Sequence, residues 1–240
     1  MAVVVMILGK SGDGKTTSEI VAPDGSLPLT DNKLDMDKYK GMNPDTTVII
    51  NCDEKVLPFP AKEIGWEVNK NLFNSTHADP YVADRVEKIL DQINKGTKIK
   101  SVVIDTINGS LNANEMLAIR KLSYDNWYDN AKDWFRVMSK CNSYREDLVI
   151  YIMGHIVLND LGERVLVTSG KKLEKIHLES KATIVLHSEV EGGFDGDNTY
   201  SFETKKNKSS GKTPIGLFSD FKIPNSLKLV DDTIRKYYSI

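Results

Sequence analysis

The chain has 240 residues, a length that suits a single α/β domain with a full core. Lys and Arg number 32 against 34 Asp and Glu, a formal net charge of -2, so a polyanionic partner must be met by a local basic patch and not by the whole surface. The two cysteines, Cys52 and Cys141, exclude a disulfide scaffold and read as buried free thiols of a cytoplasmic protein, and no apolar run approaches membrane-spanning length.

The first apolar run, Val3 to Leu8, reads as a buried parallel strand. It runs directly into Gly9-Lys10-Ser11-Gly12-Asp13-Gly14-Lys15-Thr16, the pattern G-x-x-x-x-G-K-T, with Thr17 behind it. Strand, glycine-rich loop and Lys-Thr pair in this order predict a phosphate-binding loop with a helix from about Thr16. The glycines permit the tight turn, and successive N–H groups then point at a β-phosphate. Lys15 is expected at the β/γ oxygens, and the Thr16 hydroxyl at Mg²⁺. A nucleoside triphosphate is the expected ligand.

Residues 22–45 are punctuated by Pro23, Gly25, Pro28, Gly41 and Pro44 and predict a surface excursion of unassigned role. A second strand covers Thr46 to Cys52, with Asp53 and Glu54 at its end. Either could orient the attacking water, Glu54 being slightly preferred. Asp79 and Pro80 open a predicted helix with the stripe Val82, Val86, Ile89, Leu90 and Ile93, and Gly96 ends it. The run Val102-Val103-Ile104-Asp105-Thr106 places an acid at the carboxyl edge of the sheet, where Asp105 can orient the metal.

Another helix is predicted from near Asp125, with Trp127, Ala131, Trp134, Phe135, Met138 and Cys141 on one face; that spacing marks core packing, not base stacking. The strand Leu148 to Met153 ends in Gly154-His155, a position from which His155 can read a γ-phosphate. The runs Ala182 to Leu186 and Tyr200 to Glu203 predict a hairpin or meander that finishes the sheet, and a final helix follows Pro224-Asn225-Ser226 with Leu227, Val230, Ile234 and Tyr237. Two basic clusters remain, Gly170-Lys171-Lys172 with Lys175 and Arg164, and Lys205 to Lys212. Phosphate is their expected counter-charge. The fold class is therefore α/β, a mostly parallel central sheet flanked by helices with antiparallel strands at one edge, in one domain over 1–240.

In this order the pieces resemble the ATPase core of the RecA family, from Val3 to about Phe218. Gly9 to Thr17 resembles the family's phosphate loop, Val102 to Thr106 its metal-side strand, and Leu148 to Ile156 the strand ending in its γ-phosphate sensor, with His155 where RecA has glutamine. Thr168 to Leu173 resembles the stretch closing the second DNA-binding loop. Lys206-Asn207-Lys208 matches the family's K-N-K, whose lysines reach the neighbouring subunit's ATP. Met1-Ala2 alone precede the first strand and no DNA-gathering domain follows, so the chain is similar to the trimmed RecA-like single-strand annealing ATPases of bacteriophages.

That resemblance implies a DNA-dependent ATPase in recombination that binds single-stranded DNA and anneals or pairs strands. It implies loops at 107–122 and 157–168 facing DNA, Lys206 and Lys208 acting in trans, and a head-to-tail ring or filament. A single-strand DNA-binding protein is a candidate partner, and the host cytoplasm the expected location. Two other classes compete: a nucleoside or nucleotide kinase, which would carry an arginine-rich lid, and an accessory motor ATPase of replication or packaging.

Overall fold

The computed structural model describes residues 1–74, 82–118, 125–168, 177–192 and 198–240, without the side chains of 114–118 and 125–131. The predicted cap at Asp79-Pro80, Lys171, Lys172 and Lys175, the stretch 169–173, and the side chains of Trp127 and Ala131 fall outside those residues.

In chain order the strands are β1 (Val3–Leu8), β2 (Leu29–Thr30), β3 (Lys33–Leu34), β4 (Thr47–Asn51), β5 (Leu72–Asn74), β6 (Ser101–Asp105), β7 (Val149–Gly154), β8 (Ile156–Leu158), β9 (Arg164–Leu166), β10 (Ile184–Gly192), β11 (Asn198–Glu203) and β12 (Lys222–Pro224). The helices are α1 (Ala61–Ile64), α2 (Val82–Lys95), α3 (Ile107–Ala118), α4 (Asp125–Cys141) and α5 (Leu227–Tyr238). Eight strands form one sheet in the order β12-β11-β10-β1-β7-β6-β4-β5. From β10 to β5 every pairing is parallel, and β11 and β12 join antiparallel at one edge. This is the α/β fold class expected from the sequence, a mostly parallel central sheet flanked by helices with antiparallel strands at one edge.

Strands β1, β4, β6 and β7 are buried throughout because both faces of the sheet are covered, which is why they read as continuous apolar runs. On one face α2, α3 and α4 pack through Val86, Leu90, Leu111, Trp134 and Met138. On the other, α5 packs through Leu227, Val230 and Ile234, joined by Trp66, Met42 and Phe59. The α5 N-terminus is capped by Ser226, whose Oγ accepts from the Leu229 amide at 3.2 Å.

Several expectations are corrected. The loop is followed not by a long helix but by one 3-10 turn, Thr16–Glu19, after which Val21, Ala22 and Pro23 turn the chain away. The residue before a proline disfavours helical geometry, so a helix from Thr16 has no room to run past Val21. Residues 107–118, expected as a loop, are helix α3, and within 157–168 the strands β8 and β9 form a hairpin. The 22–45 excursion contains the β2–β3 hairpin, closed by Asp31 and Asn32 at φ 50 and 59. Phe135 is 39% exposed with the Lys181 ammonium over its ring, and Tyr237 is also exposed, its hydroxyl donating to the Ile215 carbonyl. Strand β5 was not foreseen. Cys52 and Cys141 are buried free thiols, and no helix among the described residues is long and apolar enough to cross a membrane.

Candidate nucleotide site

The carboxyl ends of β1, β4, β6 and β7 meet along one edge of the sheet, where an open parallel sheet binds its ligand. Each end delivers one part of the site: the loop 9–16 after β1, Asp53 and Lys55 after β4, Asp105 and Thr106 at the end of β6, and His155 after β7.

The phosphate loop is held from three sides. Asp13 folds back to accept the Lys10 amide through Oδ2 at 2.6 Å, and the Asp13 carbonyl accepts from Ser188 Oγ and from Asn225 Nδ2 at 3.1 Å. Gly12 and Gly14 have φ of 89 and 78, in the left-handed region. A Cβ at Gly14 would also strike the Tyr200 ring at 2.8 Å, so glycine is required there twice over. Lys15 is buried, and its ammonium donates to the carbonyls of Gly9 at 2.9 Å and Lys10 at 2.6 Å. Burial lowers its pKa, while the nearby Asp13 and Asp105 carboxylates oppose that shift.

Beside the loop, Thr16 Oγ1 donates to Asp105 Oδ2 at 2.6 Å. Asp105 Oδ1 is buried and accepts no hydrogen bond. Burial raises the Asp105 carboxyl to about 6 against the Thr16 bond, which pulls it down. A buried carboxylate with one unsatisfied oxygen next to a threonine hydroxyl fits Mg²⁺, which takes one or two protein ligands and completes its shell with phosphate oxygens and water. Thr16 and Asp105 would hold it. Deeper still lies Glu19, fully buried, its carboxyl pushed well above the usual range by burial and by Asp105.

On the far side, Asp53 Oδ1 accepts from Thr106 Oγ1 at 3.1 Å and Oδ2 faces Lys55 Nζ at 2.8 Å. Gly109 lets the first turn of α3 lie against this segment: a Cβ there would collide with Asp53 Oδ1 and come within 2.6 Å of the Cys52 carbonyl oxygen. The charge of Asp53 reaches Lys15, Asp105 and His155. Glu54, beside it, is half-buried at φ 52. His155 Nδ1 lies 3.5 Å from Lys15 Nζ, and burial together with that ammonium lowers the pKa of the ring. Its amide donates to Asn108 Oδ1 at 2.7 Å, and Asn108 Nδ2 donates to the Val167 carbonyl at 2.8 Å, so α3 ties the residue after β7 to the end of the β8–β9 hairpin.

No protein-family model matches the chain, and no curated protein matches it. Among solved structures, a KaiC-like protein from the hyperthermophilic archaeon Pyrococcus horikoshii is similar over 84% of this chain and 77% of its own, at 12% identity and a TM-score of 0.45. The chemistry of the site rests on its own geometry.

The loop opens into a cleft of about 940 Å³ that continues past Tyr200, Lys222 and Pro224 to Asp24, Gly25 and Leu27. Phosphates at Lys15 and Thr16 would leave the rest of a nucleotide between the antiparallel edge strands and the 22–45 segment. Sequence reasoning missed Tyr200, Asn225, Ser188 and Lys55, because none belongs to a local motif. Only the pairing of β10 with β1 brings Ser188 to the loop.

Lys206 and Lys208 do not join this cleft. Both are exposed on the turn after β11, where Lys206 faces Glu163 Oε1 at 3.4 Å. That turn is fastened to β9: the Arg164 amide donates to the Lys208 carbonyl at 2.8 Å, and Arg164 Nη2 donates to the Asn207 carbonyl at 2.9 Å. The same guanidinium meets Glu189 and buried Glu203, the latter at 2.5 Å.

Proposed function

We propose that this chain is a Mg²⁺-dependent ATPase of RecA type that binds single-stranded DNA and anneals or pairs strands. The observation that carries the ATPase reading is the Thr16–Asp105 pair at 2.6 Å directly behind the phosphate loop, with Asp105 Oδ1 left to coordinate. Bound Mg²⁺ would supply charge neutralisation at the β and γ oxygens. Lys15, released from the carbonyls of Gly9 and Lys10, would turn to the same oxygens. Asp53, fixed by Thr106, would accept a hydrogen from the attacking water, with Glu54 beside it as the competing carboxylate, and His155 would contact the γ-phosphate.

The DNA part of the reading is supported by the resemblance of the segments and by two surfaces. The β8–β9 hairpin leaves Val157, Leu158 and Leu161 exposed, and the adjoining turn carries Lys205, Lys206 and Lys208. A strand of DNA offers bases to the first and phosphates to the second. Lys206 and Lys208, remote from their own cleft, would serve a neighbouring subunit's nucleotide in a head-to-tail assembly.

The test is ATP turnover with and without single-stranded DNA, in wild type and Lys15→Ala. The expected result is stimulation by DNA in the wild type, loss of turnover in the mutant, and an unchanged melting temperature without nucleotide. Turnover that needs a small phosphate acceptor and ignores DNA would overturn the proposal in favour of a kinase.

A further inference from the structure

Lys55 plays no part in the sequence motifs, yet it lines the same cleft as Lys15, Thr16, Thr106 and His155. Its backbone is anchored by Asn51, whose Nδ2 donates to the Lys55 carbonyl at 2.8 Å. Its side chain is 70% exposed, and only the ammonium is engaged, at 2.8 Å from Asp53 Oδ2. Asp53 is the opposite case. Its side chain is 16% exposed, tied through Oδ1 to Thr106 and backed by the close approach of Gly109. A mobile cation thus covers a fixed carboxylate, and with it in place both Asp53 oxygens are occupied.

An ion pair of this exposure is worth about 0–1 kcal/mol, so it is readily exchanged. A γ-phosphate at Lys15 brings a denser negative charge into the same cleft, within reach of the four-carbon lysine stem. We infer that Lys55 is a further substrate-contacting residue of the proposed ATPase, a cation that covers Asp53 in the absence of triphosphate and moves to the γ-phosphate when ATP binds. The move uncovers Asp53 Oδ2 for a water hydrogen and adds a second positive group where transition-state charge develops. A diphosphate offers no γ-oxygen and leaves Lys55 on Asp53. The site then distinguishes ATP from ADP with a residue of its own chain, independently of Lys206 and Lys208. The inference rests on the nucleotide reading of the cleft.

The experiment is equilibrium binding of ADP and of a non-hydrolysable ATP analogue with Mg²⁺, plus ATP turnover, for full-length wild type, Lys55→Met, Lys55→Arg and Lys15→Ala. Losing a charged hydrogen bond to the γ-phosphate should weaken the analogue about tenfold or more in Lys55→Met. ADP affinity should stay within about twofold, since no contact to it is removed. Turnover falls with analogue affinity, and Lys55→Arg recovers most of both. An unchanged ratio of analogue to ADP affinity in Lys55→Met overturns the inference while leaving the ATPase reading intact. Failure of wild type to bind either nucleotide, or binding indifferent to Lys15→Ala, overturns that reading and this inference with it. Lys55→Gln replaces Lys55→Met should the latter fold poorly.

Discussion

Asp105 is asked to be two incompatible things, a buried group and an anion. Its carboxyl is raised to about 6 from 3.8, chiefly by burial, so the folded chain holds that proton more tightly than the unfolded one. Between about pH 4 and 6 the folded state binds more protons, and stability contributed by this group falls as pH rises through that window. Above it, the full cost of a buried charge persists, on the order of 3 kcal/mol for a shift of this size. Asp105→Asn should therefore stabilise the nucleotide-free, Mg²⁺-free protein in urea unfolding at pH 7.5, with the gain shrinking at pH 4.5. Mg²⁺-dependent turnover should be lost in the same variant. The neighbourhood of the loop was legible where a local motif carried it: the Thr16 hydroxyl donates to Asp105, and Lys15 folds back onto the Gly9 carbonyl. Asp53 and Glu54 could not be separated in the sequence, because two adjacent acids after a strand are equivalent there; folded, Glu54 has φ 52 and Asp53 accepts from the Thr106 hydroxyl.

At the scale of elements, the β8–β9 hairpin and the turn 205–210 behave as one piece because Arg164 belongs to both. Its guanidinium neutralises Glu203, which is only 2% exposed, and holds the Asn207 carbonyl. Removing one partner of a buried pair leaves an uncompensated charge and typically costs about 3–5 kcal/mol. Arg164→Met should lower the urea midpoint accordingly, and adding Glu203→Gln should recover part of the loss. A measured change under about 1 kcal/mol in the single mutant would mean that the turn is held by its backbone bonds alone. The sequence read Arg164 only as one member of a charge cluster, since its partners lie 25 to 43 residues away. Elements whose apolar pattern was long and continuous, β1, β4, β6 and β7, were legible. Strand β5 was not, because three residues give too short a pattern to count. The aborted helix after Thr16 was misread because the motif outweighed Pro23, seven residues on.

For the whole molecule, the proposed action of Lys206 and Lys208 on a neighbour's nucleotide makes a prediction about assembly. Combined Lys206→Ala and Lys208→Ala should keep nucleotide binding by the isolated subunit but lose DNA-stimulated hydrolysis, by about 10³-fold or more if they act as trans cations usually do. Mixing that variant with Lys15→Ala should restore part of the rate, since each supplies the half-site the other lacks. Absence of complementation, with normal hydrolysis by the double mutant alone, would reduce these lysines to a solvated turn. Single-stranded DNA binding should weaken with salt on a modest slope, because only a local group of lysines acts on a chain of net charge -2. Titration of DNA affinity between low and high salt checks this.

The position of β1 has a consequence in time. Its two neighbours are β7, beginning at residue 149, and β10, beginning at residue 184. The loop that β1 carries is then pinned by Asn225. During synthesis the first strand to emerge must wait for more than half the chain before either partner exists, and the phosphate loop for nearly all of it. Contacts so distant in sequence form slowly. Ribosome-bound chains ending before residue 225 should therefore retain little nucleotide, so that ATP occupancy serves as a late marker of a finished fold.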